Sequence, residues 1–114
     1  MNRKVMVGLV TLVTLALVAA PALLAGKGDP EAGKAVFQKK CATCHGKNGE
    51  GNQRMARMLK VEIRDLGSEE VQAKCDDELR KNITEGTGKM RPVKKLSQED
   101  VANVIAYVRT LAKK

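Results

Sequence analysis

The residues best suited to chemistry are two cysteines and a histidine in the run Cys41-Ala42-Thr43-Cys44-His45. Two thiols at this spacing, at the end of a helix, can each bond a vinyl-derived carbon on one edge of a haem. The residue that follows, His45, then lies over the macrocycle and can donate an imidazole nitrogen to the iron. His45 is also the sole histidine of the chain. The pattern therefore predicts one covalently bound haem c, attached through Cys41 and Cys44, with His45 as an axial ligand of the iron.

Other interpretations of these residues stay open at this point. Cys41 and Cys44 could form a disulfide, with His45 beside it by chance. They could also form a thioredoxin-like redox pair, although such a pair normally lies near a βαβ pattern, which the sequence lacks. A zinc site is a further alternative, because the distant Cys75 would complete a set of four ligands with Cys41, Cys44 and His45. We favour haem attachment, because the motif occurs once and follows a helix signal.

A closed electron carrier needs a second axial ligand, and the chain contains no second histidine. A methionine thioether is a neutral, soft ligand that favours ferrous iron. Outside the N-terminal segment the candidates are Met55, Met58 and Met90. Met55 and Met58 stand at helical spacing, where filling the core is the ordinary role of methionine. Met90 follows a glycine-rich turn that can present one side chain inward, and we predict that Met90 is the second ligand.

The N-terminus has the order of an export signal. Arg3 and Lys4 form a positive flank, and residues 5–25 then contain no charged side chain. A small-residue cleavage site is present near the end of this run, but the run is also about long enough to span a bilayer. We predict a signal peptide or membrane anchor over residues 1–25 and an exported, periplasmic domain over residues 26–114. If the segment is retained, it tethers the domain to the outer face of the cytoplasmic membrane.

Capping residues and helical spacing assign the domain to the all-α class, since no β alternation is present. The first predicted helix covers residues 30–41 and starts with Asp29 as its cap and Pro30 in its first position. Two short helices are predicted next, one over residues 54–60 and one that starts at Ser68. A further helix is capped by Asp76 or Asp77 and ends at Gly86, and the last helix starts with the capping pair Ser97 and Asp100.

The chain resembles the class I cytochromes c of the small bacterial, monohaem type. Gly33 and Phe37 are similar to the helix-packing glycine and the aromatic residue that precede the haem motif in this family. Val104 and Tyr107 are similar to the positions of the terminal helix that cross them. The resemblance covers residues 29–112. It implies a cytochrome c-like fold of three main helices plus short helices around one covalently bound haem.

The same resemblance assigns roles within the site. Cys41, Cys44 and His45 match the attachment residues and the proximal ligand, and the run from Gly88 to Pro92 resembles the loop that carries the distal ligand Met90. Many relatives have a proline soon after the motif, whose carbonyl accepts the imidazole N–H. This chain has none in that region, and we expect some other backbone carbonyl to orient His45.

The function expected from these features is one-electron transfer through a haem with His45 and Met90 as ligands. The chain is not expected to be an enzyme in its own right, because no general base or nucleophile is evident. One alternative is a haem-based sensor or weak peroxidase with an exchangeable sixth ligand. Another is a membrane-tethered electron-relay subunit of a larger respiratory oxidoreductase.

Charge and composition indicate the partners. Residues 26–114 contain 19 Lys and Arg and 13 Asp and Glu, a net charge of +6, which suits redox proteins with acidic docking surfaces. Phe37 and Tyr107 are the sole aromatics, too few for a nucleic-acid stacking platform.

Membrane contact is expected only through residues 5–25 if they are uncleaved. We expect a monomer, with a dimer linked through the odd thiol Cys75 as the alternative to a merely structural cysteine.

Overall fold

The computed structural model describes residues 27–113, and this part of the chain is helical. Its six helices are α1 (Pro30–Lys40), α2 (Ala42–His45), α3 (Gln53–Leu59), α4 (Glu69–Gln72), α5 (Asp76–Glu85) and α6 (Gln98–Thr110). Between residues 27 and 113 no strand forms, and one isolated antiparallel bridge joins Thr87 and Met90. The predicted all-α class is confirmed, with α1, α5 and α6 as the three main helices.

The ends of α1 and α6 are set by the capping residues that the sequence indicates. The Asp29 carboxylate accepts a hydrogen bond from the Glu31 N–H at 2.9 Å, and a proline opens the helix behind it. At the start of α6, Ser97 and Asp100 form a reciprocal capping box, with both hydrogen bonds at 3.0 Å. Both predicted helix starts are confirmed.

The start of α5 differs from the prediction. Its N-cap is Cys75, whose side chain makes no capping hydrogen bond, and neither Asp76 nor Asp77 takes that position. The two aspartates lie instead in the first turn of the helix. Negative charges there still stabilise α5, because they face the positive end of the helix dipole.

The predicted signal peptide or anchor, residues 1–25, lies outside the described residues. Across residues 27–113, no helix is long and apolar enough to cross a membrane. The predicted boundary between this segment and the domain at residue 26 therefore stays a prediction.

The fold is organised by the crossing of α1 over α6. A Cβ atom added to Gly33 would overlap the backbone carbonyl group of Asn103, so the two helix backbones are in direct contact. Gly28, just before α1, also lies directly against the backbone of Ala102. The buried Asn103 side chain accepts a hydrogen bond from the Asp29 N–H at 2.8 Å. The two glycines and the buried amide of Asn103 thus define where the helices cross.

The core lies beside this crossing. Phe37 is 1% exposed, and its ring centroid lies 5.1 Å from that of Tyr107, in a tilted arrangement favourable for aromatic pairs. The remaining buried apolar members are Cys41, Val71, Leu79, Ile83, Val101, Val104, Ile105 and Val108. The predicted pairing of Gly33 and Phe37 with Val104 and Tyr107 is therefore present in the fold.

The C-terminal half of α6 is attached to the connection between α4 and α5. The Arg109 guanidinium donates to the carbonyls of Lys74 and Gln72 at 2.6 and 2.8 Å. It also forms an ion pair with Asp76 at 2.7 Å. Because a guanidinium has several donors in one plane, a single side chain joins α6 to the connection between α4 and α5 at three points.

Beyond α6, Lys113 makes two bonds to the segment that precedes α4. Its N–H donates to the Gly67 carbonyl at 3.0 Å, and its ammonium pairs with the Asp65 carboxylate at 2.6 Å. The hydrogen bond from Lys113, and then that from the Gly67 N–H, lower the pKa of Asp65. The ionised form of Asp65 is therefore the one that the fold favours.

The crossing predicts the effect of Gly33→Ala. Alanine would gain about 1 kcal/mol of helix propensity, but the new methyl group would force the α1 and α6 backbones apart. We expect the free energy of unfolding to fall by about 1–3 kcal/mol, measured by urea titration of the purified protein. Lys34→Ala, at an exposed position of the same helix, should change it little. A Gly33→Ala protein as stable as the wild type would contradict this packing.

Asp65→Asn tests the C-terminal ion pair. Because the folded pKa of Asp65 lies below its unfolded value of about 3.9, the stabilisation is present above that pH and is lost as the pH falls through the folded pKa. We expect Asp65→Asn to lower the free energy of unfolding by up to about 1 kcal/mol at pH 7, and by progressively less as the pH falls below about 4. Glu62→Gln, at an exposed side chain, is the control. A loss that does not depend on pH would show that the carboxylate charge is unimportant.

Candidate functional site

The predicted attachment residues lie where α1 ends and α2 begins. Cys41 is both the C-cap of α1 and the N-cap of α2, and its side chain is buried in the core. Cys44 is half-buried one turn further on, and both residues are free thiols. The packing of α1 on α6 therefore carries Cys41 directly to the interior, where an apolar group could be attached.

The chemistry of Cys41 does not suit a redox dithiol. Burial raises the pKa of its thiol from 9.0 to about 11, so the thiol is neutral at physiological pH. Reactive pairs of the thioredoxin type need the opposite shift, because the thiolate is the nucleophile. The environment of Cys41 thus disfavours the redox-pair interpretation.

The zinc interpretation also lacks support from the geometry. Cys75 is exposed at the start of α5, whereas Cys41 is buried at the end of α1. In the described part of the chain, the His, Cys, Asp and Glu side chains form no group of three or more that could hold a metal ion. The set of four ligands considered from the sequence is not assembled there.

His45 occupies the last position of α2, close to the aromatic core. Its ring centroid lies 6.4 Å from that of Phe37. Burial lowers the pKa of the imidazole, which keeps it in the neutral form that coordinates metals. Its Nδ1 atom is buried and has no hydrogen-bond partner among residues 27–113. The expected orienting carbonyl is therefore not found for this atom, and that prediction is wrong in the described part.

The backbone of His45 is held by the loop that follows it. Its carbonyl accepts a hydrogen bond from the Gly51 N–H at 2.6 Å, and the Cys44 carbonyl accepts one from the Asn52 N–H at 2.9 Å. The Asn52 amide also donates to the Thr43 carbonyl at 3.1 Å. Gly51 has a φ of +88°, a conformation that few other residues adopt readily. The loop thus folds back onto the motif and holds the imidazole in place through the main chain.

Met90 lies in a tight turn, here called the distal loop (residues 86–92). The Thr87 and Met90 backbones exchange hydrogen bonds of 3.0 and 2.9 Å across the two-residue turn. Gly86 and Gly88 have positive φ values of 81° and 55°. The Val93 N–H then donates to the Ile83 carbonyl in α5 at 2.8 Å. The loop is therefore defined by its own backbone pairing and by its attachment to α5.

The three candidate methionines differ in their surroundings. Met90 is half-buried and packs against the core cluster that contains Cys41. Met55 is half-buried on α3, and Met58 is 64% exposed on the same helix. Of the predicted site residues, Cys41 and Met90 are thus brought to one core, and His45 lies near Phe37 in that core.

A helical domain of this architecture, with the motif at the end of its first helix, defines a c-type cytochrome. Residues 28–108 match the family model described as "Cytochrome C oxidase, cbb3-type, subunit III". Because this match covers most of the chain, the protein belongs to that family. A cytochrome c domain of this family is suited to haem-based electron transfer.

A solved structure agrees with this assignment. The protein titled "KustC0563 c-type cytochrome" shares 32% sequence identity with this chain, and the two structures superpose with a TM-score of 0.62. The match covers 71% of this chain and 98% of the other. No curated protein matches the chain.

The family implies covalently bound haem c, and the residues at this site fit that group. Cys41 and Cys44 provide free thiols, the former buried among apolar side chains where a macrocycle would be shielded from water. The neutral imidazole of His45 has a buried nitrogen that no described protein group uses.

Several positioning residues were not identified from the sequence. Asn52 caps α3 by accepting from the Arg54 and Met55 N–H groups at 3.0 and 3.2 Å. An asparagine before a helix is a recognised capping signal, and it could have been found. Lys89 donates to the Leu59 carbonyl at 2.7 Å, and Asn103 binds Asp29. These two contacts join segments far apart in sequence, and no local pattern indicates them.

The attachment is tested by removing the thiols. In Cys41→Ala/Cys44→Ala, neither thioether can form, and we expect haem to separate from the chain under denaturing conditions. The wild type should keep it, as should Cys75→Ser, whose thiol is exposed at the start of α5. Mass spectrometry of the denatured proteins measures this directly. Haem retained by the double variant, or lost in Cys75→Ser, would show that the attachment site has been misassigned.

Proposed function

We propose that this protein is a one-electron carrier in which Cys41 and Cys44 hold one haem c, and His45 and Met90 are the axial ligands. The main support is that one core cluster contains Cys41 and also packs against Met90, although these residues lie in distant segments. A sixth ligand from the protein would close the iron to outside molecules. Such a site suits electron transfer better than substrate binding.

Each of the proposed ligands has a distinct role in electron transfer. The haem, when bound, supplies a metal centre that gains and loses one electron. His45 provides a neutral imidazole, because its burial lowers the pKa of the ring. Met90 provides a neutral thioether, which favours the reduced metal. The backbone pairing within the distal loop and the loop behind His45 keep both side chains in place, so little reorganisation accompanies the change in charge.

The distribution of charge supports an acidic redox partner. Residues 51–60 and residues 86–95 contain no acidic side chain, and they carry the basic residues Arg54, Arg57, Lys60, Lys89, Arg91, Lys94 and Lys95. The hydrogen bond from Lys89 to the Leu59 carbonyl brings these two segments together. A redox protein with an acidic surface would be steered to this basic patch, and salt would screen the attraction.

The sequence supports a proposal for the cellular setting and the assembly state. We propose that the domain acts outside the cytoplasm, in the periplasm, and that it contacts a membrane only through residues 5–25 if these are retained. We propose a monomer that is not an enzyme by itself and does not bind nucleic acid. The exposed thiol of Cys75 leaves a disulfide-linked dimer as the alternative.

Two other functions remain hypotheses. A sensor or weak peroxidase would need an exchangeable sixth ligand, and the half-buried, core-packed position of Met90 argues against one. An electron-relay subunit of a larger oxidoreductase agrees with the description of the family. Its distinguishing feature, a retained apolar segment, falls on residues outside the described part.

Met90→Ala tests the carrier against the sensor. We expect the wild-type protein to show a methionine–iron charge-transfer band and to resist carbon monoxide in the ferrous state, because the sixth position is filled. Met90→Ala should lose the band and bind carbon monoxide readily. Both properties are measured by visible spectroscopy of the purified, haem-containing protein.

Met58→Ala is the matched control, since it removes an exposed methionine from the neighbouring helix. It should keep both wild-type properties. Ready binding of carbon monoxide by the wild type would favour the sensor. A band that persists in Met90→Ala would assign the sixth ligand to another residue.

A further inference from the structure

The distal loop has a second attachment besides its bond to α5. The Lys89 ammonium, next to Met90 in the chain, donates to the Leu59 carbonyl at 2.7 Å. Among the hydrogen bonds found within residues 27–113, this is the one that joins the distal loop to α3. It is a long-range contact, because 30 positions separate the two residues.

The Leu59 carbonyl is a good acceptor for this ammonium. Leu59 is the last residue of α3, and the helix ends at Lys60 with a left-handed φ of 55°. Carbonyls in the last turn of a helix have no partner within the helix, and the helix dipole makes this end partly negative. A lysine amine there satisfies a free acceptor and complements the dipole.

The N-terminal end of α3 is hydrogen-bonded to the motif that contains Cys44 and His45. Its N-cap Asn52 donates through the backbone to the Cys44 carbonyl at 2.9 Å and through its side chain to the Thr43 carbonyl at 3.1 Å. The Asn52 carbonyl oxygen of the side chain also accepts from the first turn of α3. One end of α3 is therefore bonded to the residues just before His45, and the other end to the loop that carries Met90.

We propose that Lys89 is a positioning residue for Met90. Through its bond to Leu59, it makes α3 a spacer of fixed length between the segment of His45 and that of Met90. This inference rests on the proposed function, in which both side chains bind one iron. Withdrawal of Met90 moves the distal loop and breaks the Lys89–Leu59 bond, so the bond favours the closed state.

The consequence is a change in the fraction of molecules whose sixth position is open. An outside ligand binds only the open state, and its apparent affinity is proportional to the population of that state. Loss of one charge-assisted hydrogen bond at the surface should raise this population by about fivefold. The residues that attach the haem are not touched by the change.

The experiment compares Lys89→Gln with Lys94→Gln in the full-length, haem-containing protein. Both variants remove one positive charge from the same basic segment, and Lys94 is exposed with no hydrogen bond or ion pair to residues 27–113. The apparent affinity of the ferrous protein for carbon monoxide is measured by visible titration. We expect an increase of about fivefold in Lys89→Gln and little change in Lys94→Gln. Lys89→Arg, which keeps a charged donor, should restore most of the wild-type value.

Amide hydrogen exchange provides a second readout that uses no outside ligand of the iron. The Thr87 and Met90 amides are protected by their mutual hydrogen bonds, and the Val93 amide by its bond to Ile83. In Lys89→Gln, exchange should become faster at Thr87 and Met90 and stay unchanged at Val93. Lys94→Gln should resemble the wild type at all three amides.

The outcomes separate this inference from the proposed function. If Lys89→Gln and Lys94→Gln raise the affinity equally, general charge is responsible and the positioning role is overturned. If the exchange of Thr87 and Met90 is unchanged in Lys89→Gln, the bond does not hold the loop. If the wild type binds carbon monoxide as readily as Met90→Ala, the closed site itself is absent and the proposed function fails.

Discussion

The contact on which the structure depends is the close crossing of α1 and α6. Gly33 allows the two backbones to meet, since any β-carbon there would overlap the carbonyl group of Asn103. The side chain of Asn103 then binds the Asp29 N–H and fixes the start of α1 against α6. Phe37 packs on Tyr107 because both lie on the faces that this crossing brings together. The rest of the core forms around that pair.

The position of the attachment motif is a consequence of this crossing. Cys41 caps α1, so the helix that packs on α6 delivers its thiol to the interior and raises its pKa. The short helix α2 then turns His45 toward the aromatic core, where burial keeps the imidazole neutral. A domain with one phenylalanine and one tyrosine has few large side chains to fill its interior. A macrocycle attached at this place would add the apolar volume that these side chains do not provide.

The distal loop is held by hydrogen bonds as well as by the packing of Met90 against the core. The distal loop is paired with itself across two residues, bound to α5 through Val93, and bound to α3 through Lys89. Under the proposed function, in which Met90 is a ligand of the iron, such bonds would limit the movement that accompanies each electron. The Lys89–Leu59 bond also joins two segments that carry basic and no acidic side chains.

The sequence by itself determined the all-α class, the capping of α1 and α6 and the attachment motif, because each depends on residues a few positions apart. The caps at Asp29 and Ser97 are bonds within one helical turn, and they are present as predicted. Only the tertiary structure decided that Cys75 is the N-cap of α5, that the Nδ1 atom of His45 is left unpaired, and that Lys89 reaches Leu59. These features depend on burial and on hydrogen bonds between distant segments, which become defined only once α1 and α6 have crossed.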